Sequence, residues 1–387
     1  MTRARTLFIV IDNLGDIAAF FGEGIAARVL SECGRRLERW PDAGLRVDEI
    51  GDWGITVSAA SSGDDERDRL RVDAMLHAAS SSPMDVGGVS IVVALSRSDI
   101  RPRQNHVLRM SGHSSSLDYR GDMRAAALAY RALSVPRIRF AEQIVCGSHE
   151  GGELLYTECL TRLRDDRGGP LMPGDYVPAL ERLGLTRGFD RQIVTTVVER
   201  LLRDPDRVLG CNISVLSASA DLWWKSVFPR LLASPGVAQR LVIEVTESAR
   251  PRSLEDAVKF VGHLRSMGCR VALDDFGAGF SSIGFAREAR FDFIKIDGSY
   301  IRRRANGEDP ASLLGHLVVL AKELAGDVIV EGIETESDCD MACAAGAEWL
   351  QGYLFGWSRP PEETGPATGA IIRLAERRDP SAMGLFP

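Results

Sequence analysis

No apolar run in this sequence reaches the ~18–20 residues that a membrane-crossing helix needs. The basic start, Met1-Thr2-Arg3-Ala4-Arg5, is followed by an apolar stretch, Thr6–Ile11, that is too short for a signal-peptide core and runs straight into Asp12. Cysteine is sparse and scattered: seven residues, none arranged as Cys-x-x-Cys, with Cys339 and Cys343 four apart and no histidine partner near them. That excludes a disulfide framework and a zinc module, and leaves ordinary reduced thiols. Positive charge is also in deficit, with 47 Lys and Arg against 54 Asp and Glu and a net charge of −7. A groove for a DNA or RNA duplex and a basic membrane patch are both disfavoured. A small anionic ligand held by metal ions and a few cations remains open. The expectation is a cytoplasmic protein without a membrane segment.

The chain's 387 residues are enough for two domains, one of them large. Leu7–Ile11 reads as a strand and Ile17–Trp40 as a helix. Leu45–Val57 reads as a hairpin turning at Gly51-Asp52. Asp64–Ala79 is a second helix and Val86–Ser96 another strand. Between Arg97 and Arg120 no period is legible, which marks a linker or long loop. Asp122–Leu133 is an alanine-rich helix, expected as a rigid connector.

From Arg137 strands and helices alternate. The strands are Ile138–Val145, Glu153–Leu160, Val208–Ile213, Arg240–Val245, Arg270–Leu273, Phe291–Ile296, Val328–Val330 and a short one near Glu348–Leu350. The helices between them include Val177–Leu183, Phe189–Leu202, Leu254–Met267, Ala311–Leu324 and Ser337–Ala345. Repeated βα units over roughly 230 residues predict a parallel α/β barrel, whose chemistry collects at the carboxyl ends of its strands.

The polar residues at those ends test that rule. Val271-Ala272-Leu273 runs into Asp274-Asp275 and then a glycine-rich turn, a pattern that favours a hard cation over a helix cap. The other strands deliver Glu158, Asn212, Glu244 with Glu247, Lys295 with Asp297, Glu331 with Glu334, and Gln351. Ordinary capping residues would mix in Ser, Thr and Gly. So many carboxylates on one rim require cations, and two divalent ions would serve phosphate-ester hydrolysis.

These residues resemble a family. Glu158-Cys159-Leu160-Thr161-Arg162 is similar to the signature of the EAL-type cyclic di-GMP phosphodiesterases, with Cys159 where alanine is usual. Asn212 in Cys-Asn-Ile-Ser, Glu244-Val245-Thr246-Glu247-Ser248, Asp274-Asp275-Phe276-Gly277, Lys295-Ile296-Asp297, Glu331-Gly332-Ile333-Glu334 and Gln351-Gly352-Tyr353 follow in the family's order. The resemblance covers about Ile138 to Pro360. It implies an EAL-type (β/α)₈ TIM-like barrel that hydrolyses cyclic di-GMP to linear pGpG with two Mg²⁺ or Mn²⁺ ions. Glu158, Asn212, Glu244 and Asp274 would hold the first metal. Asp274 would bridge to the second, with Asp275 beside it. Lys295 and Glu331 would position and deprotonate the attacking water. Leu160 and Arg162 would contact the ligand, Arg162 at a phosphate. Glu247 would pin the glycine loop, and Asp297 and Gln351 would support the site. A homodimer through the barrel is implied as well.

The N-terminal region resembles a GGDEF diguanylate cyclase domain that has decayed. Val10 stands where that family has its first metal-binding Asp, Ala18 and Ala27 stand where guanine-binding polar residues belong, and Ile50-Gly51-Asp52-Trp53-Gly54 keeps only Gly51 and Asp52 of the signature. The resulting organisation is a degenerate regulatory domain at 1–114, a connector helix at 115–137, the phosphodiesterase barrel at 138–365 and a tail at 366–387. The rival function is a cyclic di-GMP receptor that signals through a protein partner without turnover; an intact ligand set favours the enzyme. A third reading, a structural protein with a vestigial barrel, is disfavoured by the retention of Glu158, Asp274, Asp275 and Lys295. Outside the rim, blander readings are preferred. His263 and His316 are ordinary helix residues, Trp223-Trp224 is packing or a contact, Arg302-Arg303-Arg304 is a solvated loop, and Glu334 and Glu336 serve to cap a helix.

Overall fold

The structure, a computed structural model, describes residues 4–39, 45–60, 62–98, 101, 118–133, 138–149, 152–220, 224–246, 248–278, 283–302 and 310–356. Glu247, Trp223, Arg303, Arg304 and the tail at 366–387 lie outside the described residues. The chain divides into two compact units. The first holds Met1–Ile138, Arg162–Gln192 and Asp221–Pro229, and the second holds Arg139–Thr161, Ile193–Ala220 and Arg230–Pro387.

In the first unit, β1 (Ala4–Ile11), β2 (Leu45–Ile50), β3 (Gly54–Ala60) and β6 (Leu95–Ser98) form a four-stranded antiparallel sheet in the order β2-β3-β1-β6. Leu7, Ile9 and Ile11 alternate inward along β1 and are buried, as a half-covered strand requires. The helix expected over Ile17–Trp40 is instead two helices, Leu14–Phe21 and Glu23–Glu38. Gly22 separates them at φ 92, a left-handed conformation that no regular helix residue adopts. The strand expected over Val86–Ser96 is also divided. β4 (Met84–Val86) and β5 (Val89–Ile91) form a hairpin, and the chain then continues into β6. Gly87 and Gly88 have φ 58 and 82, the pair of positive values that a tight hairpin turn needs and that an unbroken strand cannot contain.

The alanine-rich helix spans Tyr119–Ala132 and is packed rather than free-standing. Tyr119 stacks on Phe20 at 4.5 Å. Asp122 accepts two hydrogen bonds from the Arg182 guanidinium, at 2.6 and 2.8 Å. Small alanines at 126, 127 and 129 are buried, which lets neighbouring backbones approach closely. Trp224 is buried and stacks on Phe228, in line with the packing reading.

The second unit contains the barrel. Its strands are β7 (Arg139–Gly147), β8 (Leu154–Arg164), β10 (Leu209–Ser214), β11 (Leu241–Thr246), β12 (Arg270–Phe276), β13 (Phe293–Ile296), β14 (Asp327–Val330) and β15 (Trp349–Gln351). The short β9 (Pro170–Leu171) pairs with the far end of β8. Pairing runs from β10 through β15 to β7 and β8, and β8 closes back onto β10 through Gly210 opposite Glu158. The expected all-parallel barrel is corrected at one strand: β7 runs antiparallel to β15, with Leu350 opposite Cys146. A six-residue loop joins β7 to β8, with Gly147 N–H bonded to Glu153 O at 3.0 Å. Such a hairpin reverses the chain, whereas parallel neighbours need a long crossover.

β11, β12 and β13 are buried almost end to end because barrel strands are covered on both faces. Val145, Tyr156, Val242, Ala272, Phe293 and Ile329 from different strands form the barrel's apolar core. Outside, helix Leu254–Ser266 buries Ala257, Phe260, Val261 and Leu264 at helical spacing, and Ser253 caps its start. His263 and His316 are exposed on helices. Glu336–Ala344 is capped by Thr335 in a capping box with Asp338, so neither Glu334 nor Glu336 is the cap.

Candidate functional site

Strand alternation places the site. Along β8, Tyr156 and Glu158 share one face. Cys159, on the other face, is buried and accepts a long hydrogen bond from Arg200 Nη1 at 3.7 Å. The parallel register sets Asn212 opposite Glu244, and Thr246 opposite Asp274. Gly210 has a steric reason to lack a side chain: a Cβ there would lie 2.5 Å from Glu244 Oε1 and 2.7 Å from the Tyr156 ring.

Lys295 of β13 gathers the carboxylates. Its Nζ pairs with Glu331 Oε1 at 2.7 Å, Asp274 Oδ1 at 3.2 Å and Glu158 Oε2 at 3.3 Å, and forms a short contact to Glu244 Oε2. Glu158 also accepts hydrogen bonds from Asn212 Nδ2 and Gln351 Nε2. Gln351 in turn donates to Gln143 Oε1 at 3.1 Å. Sequence reasoning missed Gln143, although the alternation of β7 carries a signal for an inward polar residue. It also missed Tyr156, which reads simply as apolar.

Three buried carboxylates and the half-buried Glu331 face one ammonium, so the cluster is short of positive charge. The protonation equilibria respond to that. Burial pushes Glu331 up to about 8, with Asp274 and Glu158 adding to the rise against Lys295. Burial and the adjacent Asp274 push Asp275 up to about 6. Burial and Glu158 raise Glu244 well above the carboxylate range. The carboxylates hold Lys295 protonated, well above the usual lysine range, in spite of its burial.

The donor set fits hard divalent cations. Asn212 Oδ1 and Glu244 Oε1 are buried with no hydrogen-bond partner among the described residues. Such orphaned acceptors are costly unless something electropositive meets them. Separately, Asp274, Asp275 and Glu331 each offer an oxygen, and the three lie within 4.8 Å of one another. Asp274 links this set to the carboxylates gathered by Lys295. All these donors are oxygens, the preference of Mg²⁺ and Mn²⁺.

The structure therefore brings together Glu158, Asn212, Glu244, Asp274, Asp275, Lys295, Glu331 and Gln351. Asp297 has local work: its Oδ1 accepts from Ser299 N–H at 2.9 Å. Leu160 is half-buried on β8, and Arg162 is exposed further along, in the stretch that clusters with the first unit.

Residues 129–360, more than half of the chain, match the family described as EAL domain. MucR of Pseudomonas aeruginosa, a bifunctional diguanylate cyclase/cyclic di-GMP phosphodiesterase, is 29% identical over 217 residues, covering 55% of this chain and 32% of that protein. The probable cyclic di-GMP phosphodiesterase PdeA of Escherichia coli is 28% identical over 265 residues, covering 64% of this chain and 35% of that protein. The matched part thus spans about a third of these curated relatives. Among solved structures, the apo S helix-GGDEF-EAL portion of Vibrio cholerae LapD matches 90% of this chain and 88% of that one, with a TM-score of 0.54 at 17% identity, a likeness of fold. No helix among the described residues is long and apolar enough to cross a membrane. The family match falls on the same barrel whose strand ends bear the acidic cluster, and the chain belongs to the EAL domain family.

Proposed function

We propose that the barrel hydrolyses one phosphodiester bond of cyclic di-GMP to give linear pGpG, with two Mg²⁺ or Mn²⁺ ions as cofactors. The observation that carries this reading is the oxygen set around Lys295, with its orphaned buried acceptors and its excess of carboxylates. The likeness to MucR, a cyclic di-GMP phosphodiesterase, and to PdeA, a probable one, supports the substrate.

Glu158, Asn212, Glu244 and Asp274 would hold one ion, and Asp274 and Asp275, with Glu331 beside them, would hold the second. When bound, the ions polarise phosphoryl oxygens and bring the pKa of a water towards neutrality. Lys295 stays an ammonium, so it orients the carboxylates and supports developing negative charge rather than accepting a proton. Glu331, on the same oxygen set, would position the attacking water and accept its proton. Gln351, held by Gln143, fixes the orientation of Glu158. Leu160 and Arg162 would contact the dinucleotide, Glu247 would hold the glycine turn, and the barrel would pair as a homodimer in the cytoplasm.

Residues 1–114 are read as a degenerate GGDEF-like regulatory domain. The fold likeness to LapD over 90% of the chain supports this. The polar groups left near its expected metal site are otherwise engaged: Asn13 bridges Val92 O and Ala94 N–H, and Asp12 accepts from Ser96 Oγ.

The test is incubation of the purified chain with cyclic di-GMP and either ion, followed by chromatography for linear pGpG. Binding without product would favour the receptor reading. Absence of both would overturn the ligand assignment.

A further inference from the structure

Asp274 and Asp275 are adjacent on one strand, and adjacent strand residues ordinarily point to opposite faces. Here both reach the same oxygen cluster with Glu331. Two backbone departures allow it. The register between β12 and β13 shifts between Leu273 and Phe276, and Asp275 adopts φ 58. Positive φ is disfavoured for a residue with a Cβ and persists only when the surroundings impose it.

What imposes it lies directly behind. Ala278 N–H closes a turn onto Asp275 O at 3.0 Å, and Gly277 within that turn has φ 92. Tyr300 Oη donates to the Gly277 carbonyl at 2.6 Å. The contact is close, since a Cβ on Gly277 would lie 2.8 Å from that hydroxyl.

Tyr300 itself stands on a fixed base. Asp297 accepts from Ser299 N–H through its side chain and from Tyr300 N–H through its carbonyl, at 2.9 and 3.2 Å. Ile301 is buried. Gly298 packs against the loop after β14 so tightly that a Cβ there would lie 2.8 Å from Gly332 Cα and 3.2 Å from Glu331 O. The base that carries Tyr300 is thus seated beside the backbone of Glu331.

We infer that Tyr300 is a positioning residue: by clamping the Gly277 carbonyl it holds the turn that keeps the Asp275 carboxylate on the same oxygen set as Asp274 and Glu331. This rests on the reading of that set as a metal site. It also gives Asp297 a part, as the support of the clamp.

The test compares the full wild-type chain with Tyr300→Phe, which keeps the ring and removes only the hydroxyl. Amide hydrogen exchange is followed along β12 and its turn, and Mn²⁺ affinity is measured by calorimetry. Exchange at Gly277 and Ala278 should quicken about tenfold with Val271–Leu273 unchanged, and Mn²⁺ should bind roughly tenfold more weakly, the lower end of the usual effect of losing a supporting partner. Unchanged exchange in the turn overturns the clamp. Faster exchange with unchanged Mn²⁺ affinity overturns its role in positioning Asp275. If the wild type itself binds no Mn²⁺, the metal reading fails, and amide exchange alone decides whether the clamp stands.

Discussion

Lys295 on β13 reaches past β12 to the Glu244 carboxylate on β11, and both side chains are sealed from solvent. A buried pair of this kind is costly to assemble and far costlier to break on one side. Lys295→Met should therefore destabilise the ion-free chain by about 3–5 kcal/mol, because Glu158, Glu244, Asp274 and Glu331 lose their common cation. Saturating Mn²⁺ should recover part of that loss. Thermal unfolding with chelator and with Mn²⁺ is the measurement, and an equal loss in both conditions would contradict the charge argument.

Ion binding should release protons. Without ions, Glu331 titrates at about 8 and Asp275 at about 6, both raised first by burial. Ligating carboxylates must be ionised, so a bound ion displaces whatever proton they carry. Affinity should then rise with pH from below 6 and level off above about 8. At pH 7 the enthalpy of Mn²⁺ binding should vary with the buffer's ionisation enthalpy in the sense of proton release, with Glu331 contributing. No dependence on buffer at that pH would show that Glu331 is already ionised.

Asp275→Asn should separate capture from turnover. Losing one carboxylate from the Asp274, Asp275 and Glu331 set should cost turnover about a hundredfold or more. Cyclic di-GMP binding should stay within roughly tenfold, or ~1.4 kcal/mol. Ca²⁺ should not replace Mg²⁺ or Mn²⁺, because its coordination is longer and looser. Product chromatography and ligand calorimetry on the same samples report both quantities. Equal losses in the two would make Asp275 a binding residue.

The N-terminal unit should not bind GTP tightly. Asp52 is exposed at the β2–β3 turn, and Asn13 is committed to backbone bonds. Calorimetry of the full chain with GTP and Mg²⁺ should show no micromolar site. A micromolar site abolished by Asp52→Ala would restore nucleotide binding to this region.

Much of the barrel was legible because its signals are local. Apolar runs closing on acids mark β11, β12 and β14, and their boundaries fall within a few residues of those expected, whereas β8 runs past Glu158 to Arg164. The failures were also local in cause. Gly22 and the Gly87-Gly88 pair interrupt stretches whose hydrophobic pattern continues across them, and only their positive φ values reveal the breaks. The reversal of β7 follows from a short loop that composition alone does not distinguish from a βα connection.

The sequence by itself determined the acidic residues, their order and, except for Glu158 in the middle of β8, their delivery to strand ends, because alternation and strand termination are written in neighbouring residues. Only the tertiary structure decided that one ammonium, Lys295, serves four carboxylates from four other strands or their ends, that Gln143 stands behind Gln351, and that Tyr300 reaches Gly277. Those contacts join residues separated by 21 to 208 positions. Barrel closure sets their distances, and no local pattern of side chains encodes that geometry.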